Sequence, residues 1–345
     1  MGKNTRKNSK EKKRRTASSN RQRPSYPALE LEAPEAVAAR AILSRMYPAR
    51  RRIESRANEA RKFEQWRVNP SHPEPGSPLT RDDTDFFSEA ITTYVTKGPV
   101  VSHALFPAMS AAENLTTAVR LIDDWDVNGK MRIMSVIAMC RSALESSSRT
   151  VWILSPTSSD ERRDRALRMT KAEVLEQKKY LAKQVAAYED SENTEHLATL
   201  SADLDSAKKI LDELKSVAGV PNNETFIEQA SEWVDQTAIN PQHTPMKGMA
   251  KPLYSIASGI THGYSWTTRH LEDVSDMFAI TSDFLYASTS MLSAGVILFE
   301  TQASASDSIS NRCPPHLRPI ASSFHNRYAT EPTTESTDQA DSAHT

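Results

Sequence analysis

Apolar residues recur along most of the chain at intervals of three and four, which is the spacing of one face of an α-helix. The pattern predicts helices over about 100–125, 130–154, 158–188, 224–237, 249–262 and 271–300, separated by short polar turns that contain proline or glycine. Glycine is scarce, and strong helix formers such as Ala, Leu, Glu, Lys and Arg are plentiful. The sequence therefore predicts an all-α fold, a helical bundle without a sheet.

One segment shows a more regular repeat. Its apolar residues are spaced alternately by three and four positions, which is the heptad pattern of a coiled-coil seam. They are Leu197, Leu200, Leu204, Ala207, Leu211 and Leu214. A highly charged helix precedes this seam and is joined to it by a polar turn. Residues 159–218 are therefore predicted to form a long antiparallel coiled-coil hairpin inserted in a bundle that spans residues 81–300. The same seam could instead close a homodimer.

The two ends of the chain contain little that could be buried. Residues 1–33 are predicted to be a disordered basic tail, and residues 301–345 a disordered polar tail. Residues 34–80 comprise an Arg-rich helical segment, which Pro48 should kink or split, and a Pro-rich linker. Residues 280–299 have the length of a membrane span, but Asp283 and several Ser and Thr residues favour a buried core helix. No apolar stretch follows the charged N-terminus, so we expect a cytoplasmic protein without membrane contact.

Charge divides the chain into two parts. Residues 1–67 carry 19 basic and 7 acidic side chains, a net charge of +12, so the rest of the chain carries −13. A basic arm of this kind favours an anionic partner such as nucleic acid. It could equally bind the acidic body or serve solubility alone. The residues predicted to contact nucleic acid are Lys12, Lys13, Arg14, Arg15, Arg50, Arg51 and Arg52.

The sequence lacks the common cofactor and metal motifs. Its two cysteines, Cys140 and Cys313, form no CxxC pair, and no HExxH, P-loop or GxGxxG motif occurs. We therefore predict no metal and no cofactor.

A first polar constellation lies at Arg141, Glu145 and Arg149, where four-residue spacing places the three side chains on one helix face. Such a row is typical of an ion-pair ladder on a helix surface. Alternatively, the three groups point into a polar cleft between helices.

A second constellation lies at Tyr254, Ser258 and His262, along the edge of an apolar stripe, and Gly263 suits the end of that helix. These side chains could form structural hydrogen bonds between helices or a site. The most specific hypothesis is that Arg141 and Glu145 face His262, Ser258 and Tyr254 across a cleft. Those five residues are the candidate catalytic residues.

The RxxxE segment that ends in VWIL and the later YxxxSxxxHG segment resemble a loose group of bacterial all-helical proteins related to abortive-infection and HEPN-like bundles. The resemblance covers about residues 100–154 and 251–300. It implies a helical bundle and, in active HEPN ribonucleases, an Arg followed by a His after four to six residues. Here no Arg precedes His103, His196, His243, His262 or His270 at that distance. Arg318 and His325 fit the spacing, but within the predicted tail.

Two functions compete on this basis. The first is a non-catalytic helical binding protein, with the basic arm for polyanions and a role in phage defence or stress response. The alternative is a HEPN-like nuclease or other hydrolase with an interhelical Arg/Glu/His site. Convergence of Arg141, Glu145 and His262 within hydrogen-bonding distance would favour the enzyme.

Overall fold

The computed structural model describes residues 34–84, 98–128, 132–189, 193–237, 245–271 and 273–329. All regular structure in these ranges is helical, which confirms the predicted all-α fold. The helices are α1 (Pro34–Arg61), α2 (Glu64–Val68), α3 (Pro78–Thr84), α4 (Pro99–Asn128), α5 (Ile133–Leu154), α6 (Ser159–Tyr188), α7 (Thr194–Glu213), α8 (Asn223–Gln236), α9 (Met246–Thr261), the 3-10 helix η1 (Ser265–His270), α10 (Val274–Ala303) and α11 (Arg318–Ala329).

Helix α5 lies at the centre of the bundle. It packs along α4 and α10 and also contacts α8 and α9. The predicted apolar stripe of α5 is buried at Ile137, Cys140, Leu144 and Val151, whereas Ile133 is only partly buried. An amphipathic helix with neighbours on several sides buries more than one stripe, so polar residues such as Ser147 and Thr150 are also buried here.

Helix α10 is the predicted core helix. Among the described helices it alone has the length and hydropathy of a membrane span, and 83% of its most apolar window is buried inside the bundle. Its polar side chains bond to backbone carbonyls: Ser288 Oγ donates to the Cys140 carbonyl at 2.8 Å, and Gln302 Nε2 donates to the Leu154 carbonyl at 2.8 Å. Burial of these groups is tolerated because each donor has a partner.

The segment predicted as a separate arm and linker is part of the core. From Arg45 onward the chain forms one unit, whereas residues 34–44 of α1 belong to another unit. Ile53, Ala57 and Phe63 join the main apolar core. Helix α1 continues through Pro48, so the predicted split is wrong. Pro48 is exposed, and water can therefore bind the carbonyl that its missing N–H leaves unpaired.

The Pro-rich linker is fixed to the end of α10. The Glu74 N–H donates to the Ala303 carbonyl at 2.8 Å, and the fully buried carboxylate of Glu300 accepts from Trp66 Nε1 at 2.6 Å and from the Ser71 hydroxyl. Burial raises the pKa of Glu300, and these donors oppose that rise.

The predicted C-terminal tail is wrong over residues 301–329. Helix α10 extends to Ala303, and after a loop α11 packs on the bundle through Ala321, Phe324 and Tyr328. The Tyr328 hydroxyl donates to the Ser155 carbonyl at 3.1 Å, and the Ala321 carbonyl accepts from Thr301 Oγ1 at 2.9 Å. Polar Ser, Asn and Arg residues fill the exposed face of α11, which hides its short apolar face from a composition argument. Residues 1–33 and 330–345 lie outside the described ranges.

Helices α6 and α7 pair as a hairpin with an apolar cluster of its own. Val174, Leu181, Leu200, Ala207, Ile210 and Leu214 are buried in this cluster. Of the predicted seam, Leu197, Leu204 and Leu211 are only partly buried, and Leu197 is not part of the cluster. Ile210, which the seam omitted, is buried. The spacing of Ser158 and Glu161 predicts a helix start, and the Ser158 side chain does cap α6 by accepting from the Glu161 N–H.

Candidate functional site

The predicted polar face of α5 is half-buried. Arg141 and Glu145 each expose 18% of their side chains, and Arg149 exposes 34%. Arg149 Nη2 donates to Glu145 Oε1 at 2.8 Å, whereas Arg141 Nη2 lies 3.6 Å from Glu145 Oε2. The ladder therefore exists, and it lies at a contact between helices rather than on a fully solvated surface.

Two other helices complete the network. The Tyr254 hydroxyl on α9 donates to Glu145 Oε2 at 3.4 Å and accepts from Arg141 Nη2 at 3.3 Å. The guanidinium of Arg141 also stacks on the Tyr254 ring, 5.0 Å from its centroid. Asn223, at the start of α8, donates to the Tyr254 hydroxyl at 3.3 Å and accepts from Arg149 Nη2 at 3.1 Å.

Asn223 is the one member of this network that the sequence did not indicate. It follows Asn222, whose side chain caps α8 by accepting from the Thr225 N–H. The pair of asparagines signals a helix start but not a contact 74 positions away with Arg149. Only the packing of α8 on α5 brings the two residues together.

The structure does not bring His262 into the network. Helix α9 ends at Thr261, and Gly263 has a φ of +70°, with its N–H bonded to the Ile260 carbonyl while the Tyr264 N–H bonds to the Gly259 carbonyl. This confirms Gly263 as the helix-ending glycine. His262 is exposed and contacts Tyr264, with ring centroids 5.9 Å apart.

Ser258, one turn before His262, is half-buried, but the network's contacts end at Tyr254. The predicted five-residue cleft is therefore wrong in two of its members. His262 lies just beyond the last residue of α9 and is exposed, so it takes no part in the helix contact that buries Tyr254.

What remains is a network that joins α5, α8 and α9. Both carboxylate oxygens of Glu145 accept from these neighbours, and no histidine or cysteine in the network can exchange a proton with them. Such an arrangement sets the relative position of the three helices.

The Arg318 and His325 pair lies on α11, in an ordered helix and not in a tail. Arg318 donates to the carbonyls of Cys313 at 2.9 Å and Asn311 at 2.6 Å, which closes the loop before α11. His325 is buried, and its Nδ1 has no hydrogen-bond partner. Both side chains therefore serve the packing of α11, and the guanidinium is engaged by backbone.

A second group of buried polar side chains lies where α3, α4 and α6 meet, and the sequence did not indicate it. Asp82 and Arg162 form a buried bidentate ion pair with distances of 2.5 and 2.9 Å. Asp83 caps α4 by accepting from the N–H groups of Val100 at 2.8 Å and Val101 at 3.2 Å. Burial raises the pKa of Asp83 to about 7, although those N–H groups favour its ionised form.

His103, which has no motif around it in the sequence, is also part of this group. It is buried, with Nε2 2.8 Å from Thr170 Oγ1 and Nδ1 3.2 Å from Glu173 Oε1. Its two ring nitrogens are thus occupied by α6, and the histidine ties α4 to that helix.

Of the predicted nucleic-acid contacts, Lys12, Lys13, Arg14 and Arg15 lie outside the described residues. Arg50 pairs with Glu54 at 3.0 Å and stacks on Trp125. Arg51 and Arg52 are exposed on α1, and the guanidinium of Arg51 lies 5.2 Å from the ring centroid of Tyr47, which is also exposed.

Within the described ranges no group of three or more His, Cys, Asp or Glu side chains is placed to hold a metal ion. Both cysteines are buried and burial raises the pKa of each thiol, to about 12 for Cys140. These thiols are therefore protonated at neutral pH.

Comparisons of the chain with protein-family models, with curated proteins and with solved structures found no match.

Proposed function

We propose that this protein is a non-catalytic helical protein that binds nucleic acid through the arginine face of α1, by which we mean Tyr47, Arg51 and Arg52. The observation that carries the proposal is that Arg51 and Arg52 are exposed and make no ion pair with the described side chains. Binding of this kind would serve the phage-defence or stress-response role that the family resemblance implies.

The neighbouring arginines, in contrast, form ion pairs with acidic side chains of the protein itself. Arg56 pairs with Asp283 at 2.9 Å, Arg61 pairs with Asp123, and Arg67 pairs with Glu64 and Glu113. Those charges hold α1 and α2 on the body. Arg51 and Arg52 have no such partner among the described side chains, so their charge is available to phosphates.

The other side of α1 explains why these arginines are held in place. Ala49, Ile53, Ala57 and Ala60 are buried in the core, so the exposed face of this part of α1 is presented on an anchored helix. The residues before α1 add to its positive charge, and residues 1–67 together carry a net charge of +12. Affinity for a polyanion should then come from counterion release and fall steeply with salt.

The test is the binding of fluorescently labelled RNA by the parent and by an Arg51→Glu/Arg52→Glu variant, measured by anisotropy at several salt concentrations. We expect the variant to lose at least about tenfold in affinity near 0.1 M salt and to show a shallower salt dependence. A protein that lacks residues 1–23 would report the share contributed by the extreme N-terminus.

The matched control is Lys208→Glu/Lys209→Glu on α7, which changes the net charge by the same amount at an exposed site. It should bind RNA within about twofold of the parent, since its lysines lie on a different helix. Equal losses in both double variants would mean that overall charge and not the arginine face governs binding. Undiminished binding by Arg51→Glu/Arg52→Glu would reject the proposal.

A further inference from the structure

An exposed aromatic segment follows α9. Between residues 262 and 270, four rings lie at the surface as two pairs: His262 with Tyr264, centroids 5.9 Å apart, and Trp266 with His270, centroids 5.8 Å apart. Tyr264 is 57% exposed and Trp266 is 41% exposed. We call residues 262–270 the aromatic segment.

Trp266 is held by its contact with α9. A Cβ atom placed on Gly259 would lie 2.6 Å from Trp266 Cζ2 and 3.0 Å from Cε2, so the indole packs directly on the helix at a position without a side chain. Thr267 beside it is buried, and its hydroxyl donates to the Tyr264 carbonyl at 2.8 Å. The indole is therefore supported on one side and open to solvent on another, as a stacking surface requires.

The charge of the segment favours an anionic ligand. Arg269 is exposed and no acidic residue occurs from 262 to 271, while Asp273 and Asp276, which follow, form the capping box of α10. Exposed tyrosine and tryptophan next to arginine and histidine are the groups on which nucleic-acid bases stack.

The aromatic segment lies at the same end of the bundle as the arginine face of α1. Helices α1 and α2 run alongside α10 in the same direction, because Trp66 contacts Phe299 and Arg56 bonds to Asp283. One and a half turns earlier, Arg50 stacks on Trp125, which packs on Phe278 near the start of α10. Tyr47 and Arg51 are therefore near the first turns of α10, and η1 immediately precedes that helix.

From these observations we infer that the aromatic segment is a base-stacking surface for single-stranded nucleic acid, which continues the phosphate-binding arginine face of α1. The inference rests on the proposed function and names its substrate class. Arginines bind the backbone of any nucleic acid, but a ring can stack only on a base that is not already stacked in a duplex. The protein thus prefers single strands.

The test compares a single-stranded RNA with a duplex RNA of the same length for the parent and for Tyr264→Ala/Trp266→Leu. Leucine keeps apolar contact with Gly259, and circular dichroism melting checks that the fold is retained. We expect the double variant to lose at least about tenfold in affinity for the single strand and little for the duplex. Phe106→Ala on α4, an exposed aromatic at 75%, is the control and should change neither.

The outcomes separate this inference from the proposed function. Equal binding of both RNAs by the parent, or an unchanged single-strand affinity in Tyr264→Ala/Trp266→Leu, overturns the stacking surface while the arginine face stands. Loss of both RNAs in Arg51→Glu/Arg52→Glu with single-strand loss alone in the aromatic variant supports both. Absence of any RNA binding by the parent rejects both.

Binding of the parent to phosphatidylglycerol vesicles that the aromatic variant loses, without an effect on RNA, would assign the segment to a membrane surface instead.

Discussion

Asp82 and Asp83 are adjacent in the sequence, and the structure gives them opposite electrostatic surroundings. Asp82 is buried against Arg162, whose Nη1 also donates to the carbonyls of Pro156 at 3.0 Å and Thr157 at 2.9 Å. Asp83 forms no ion pair with the side chains that the structure describes and instead accepts from two backbone N–H groups at the start of α4. Removing water from Asp83 is therefore compensated less fully, which is why its pKa rises to about 7.

This difference predicts a pH dependence of stability. Because the folded pKa of Asp83 lies above its value of 3.8 in the unfolded chain, its favourable contribution is complete below about pH 4 and is lost as pH rises to about 7. Each unit of pKa difference corresponds to about 1.4 kcal/mol. Urea unfolding at pH 4, 5.5 and 7 should thus show the parent losing stability relative to Asp83→Asn as pH rises. Groups that titrate in both proteins cancel in this difference.

Asp273→Asn is the control for that measurement. Asp273 caps α10 at an exposed position, accepting from the N–H groups of Ser275 at 2.6 Å and Asp276 at 3.0 Å. Because this carboxylate is exposed, the stability difference between the variant and the parent should be constant from pH 5.5 to 7. A constant difference for Asp83→Asn as well would contradict the assignment.

At the scale of elements, the α6–α7 hairpin is antiparallel. Lys171 Nζ, in the first half of α6, donates to the Lys215 carbonyl at 3.3 Å just after α7, and at the other end the rings of Tyr188 and His196 lie 4.8 Å apart. The apolar cluster between these helices is separate from the main core. Because α6 contributes Ala166 and Met169 to the main core, only the part of the hairpin beyond these residues can lose its packing without the bundle losing its own. The supercoiling of a true coiled coil stays a prediction from the heptad spacing.

A paired substitution tests the seam. Leu200→Asp places a carboxylate at a position that is 8% exposed, whereas Leu175→Asp on α6 changes a leucine that is 39% exposed. Loss of a buried leucine costs at least about 2 kcal/mol, and burial of the charge adds to it. Hydrogen exchange should show faster exchange over residues 174–188 and 194–214 in Leu200→Asp, the stretches that hold the hairpin cluster, and nearly parental exchange in Leu175→Asp. Similar protection in the two variants would show that the seam is not buried.

At the scale of the whole molecule, the bundle is closed by segments from both ends of the described chain. The linker before α3 and the loop after α10 are joined by bonds from the Ala305 N–H to Glu74 Oε2 at 2.8 Å and from Arg312 Nη1 to the Pro70 carbonyl at 3.2 Å. Arg81 on α3 also donates to the Ala329 carbonyl at 3.1 Å, at the end of α11. Residues 70–84 and 304–329 therefore stabilise each other and the end of α10.

This closure predicts that α11 contributes to global stability. Phe324 is buried, with its ring 6.0 Å from that of Trp233 and the guanidinium of Arg327 4.4 Å from its own ring centroid. Phe324→Ala should lower the free energy of unfolding by about 3 to 5 kcal/mol. Phe106→Ala removes the same atoms from an exposed ring and should cost less than about 1 kcal/mol. Unchanged urea midpoints in Phe324→Ala would mean that α11 is not part of the cooperative core.

The sequence by itself determined the helices and several of their ends. Periodicity located α4 to α10 within a few residues of their observed bounds, and local rules identified the Ser158 cap and the Gly263 turn. These features depend on residues close together in the chain, so a single sequence contains the information. The grouping of Arg141, Glu145 and Tyr254 was also predictable, since each lies at the edge of an apolar stripe.

Only the tertiary structure decided which edges meet. Whether His262 or Asn223 joins Glu145 depends on the register and crossing of α5, α8 and α9, and no spacing within one helix encodes that. Likewise α11 and the linker are too polar to be recognised as core from their composition. They join the core because a few of their apolar side chains pack against other helices of the bundle. Long-range packing thus assigned the polar residues to their roles, since the free energy of burying a side chain depends on neighbours that are distant in sequence.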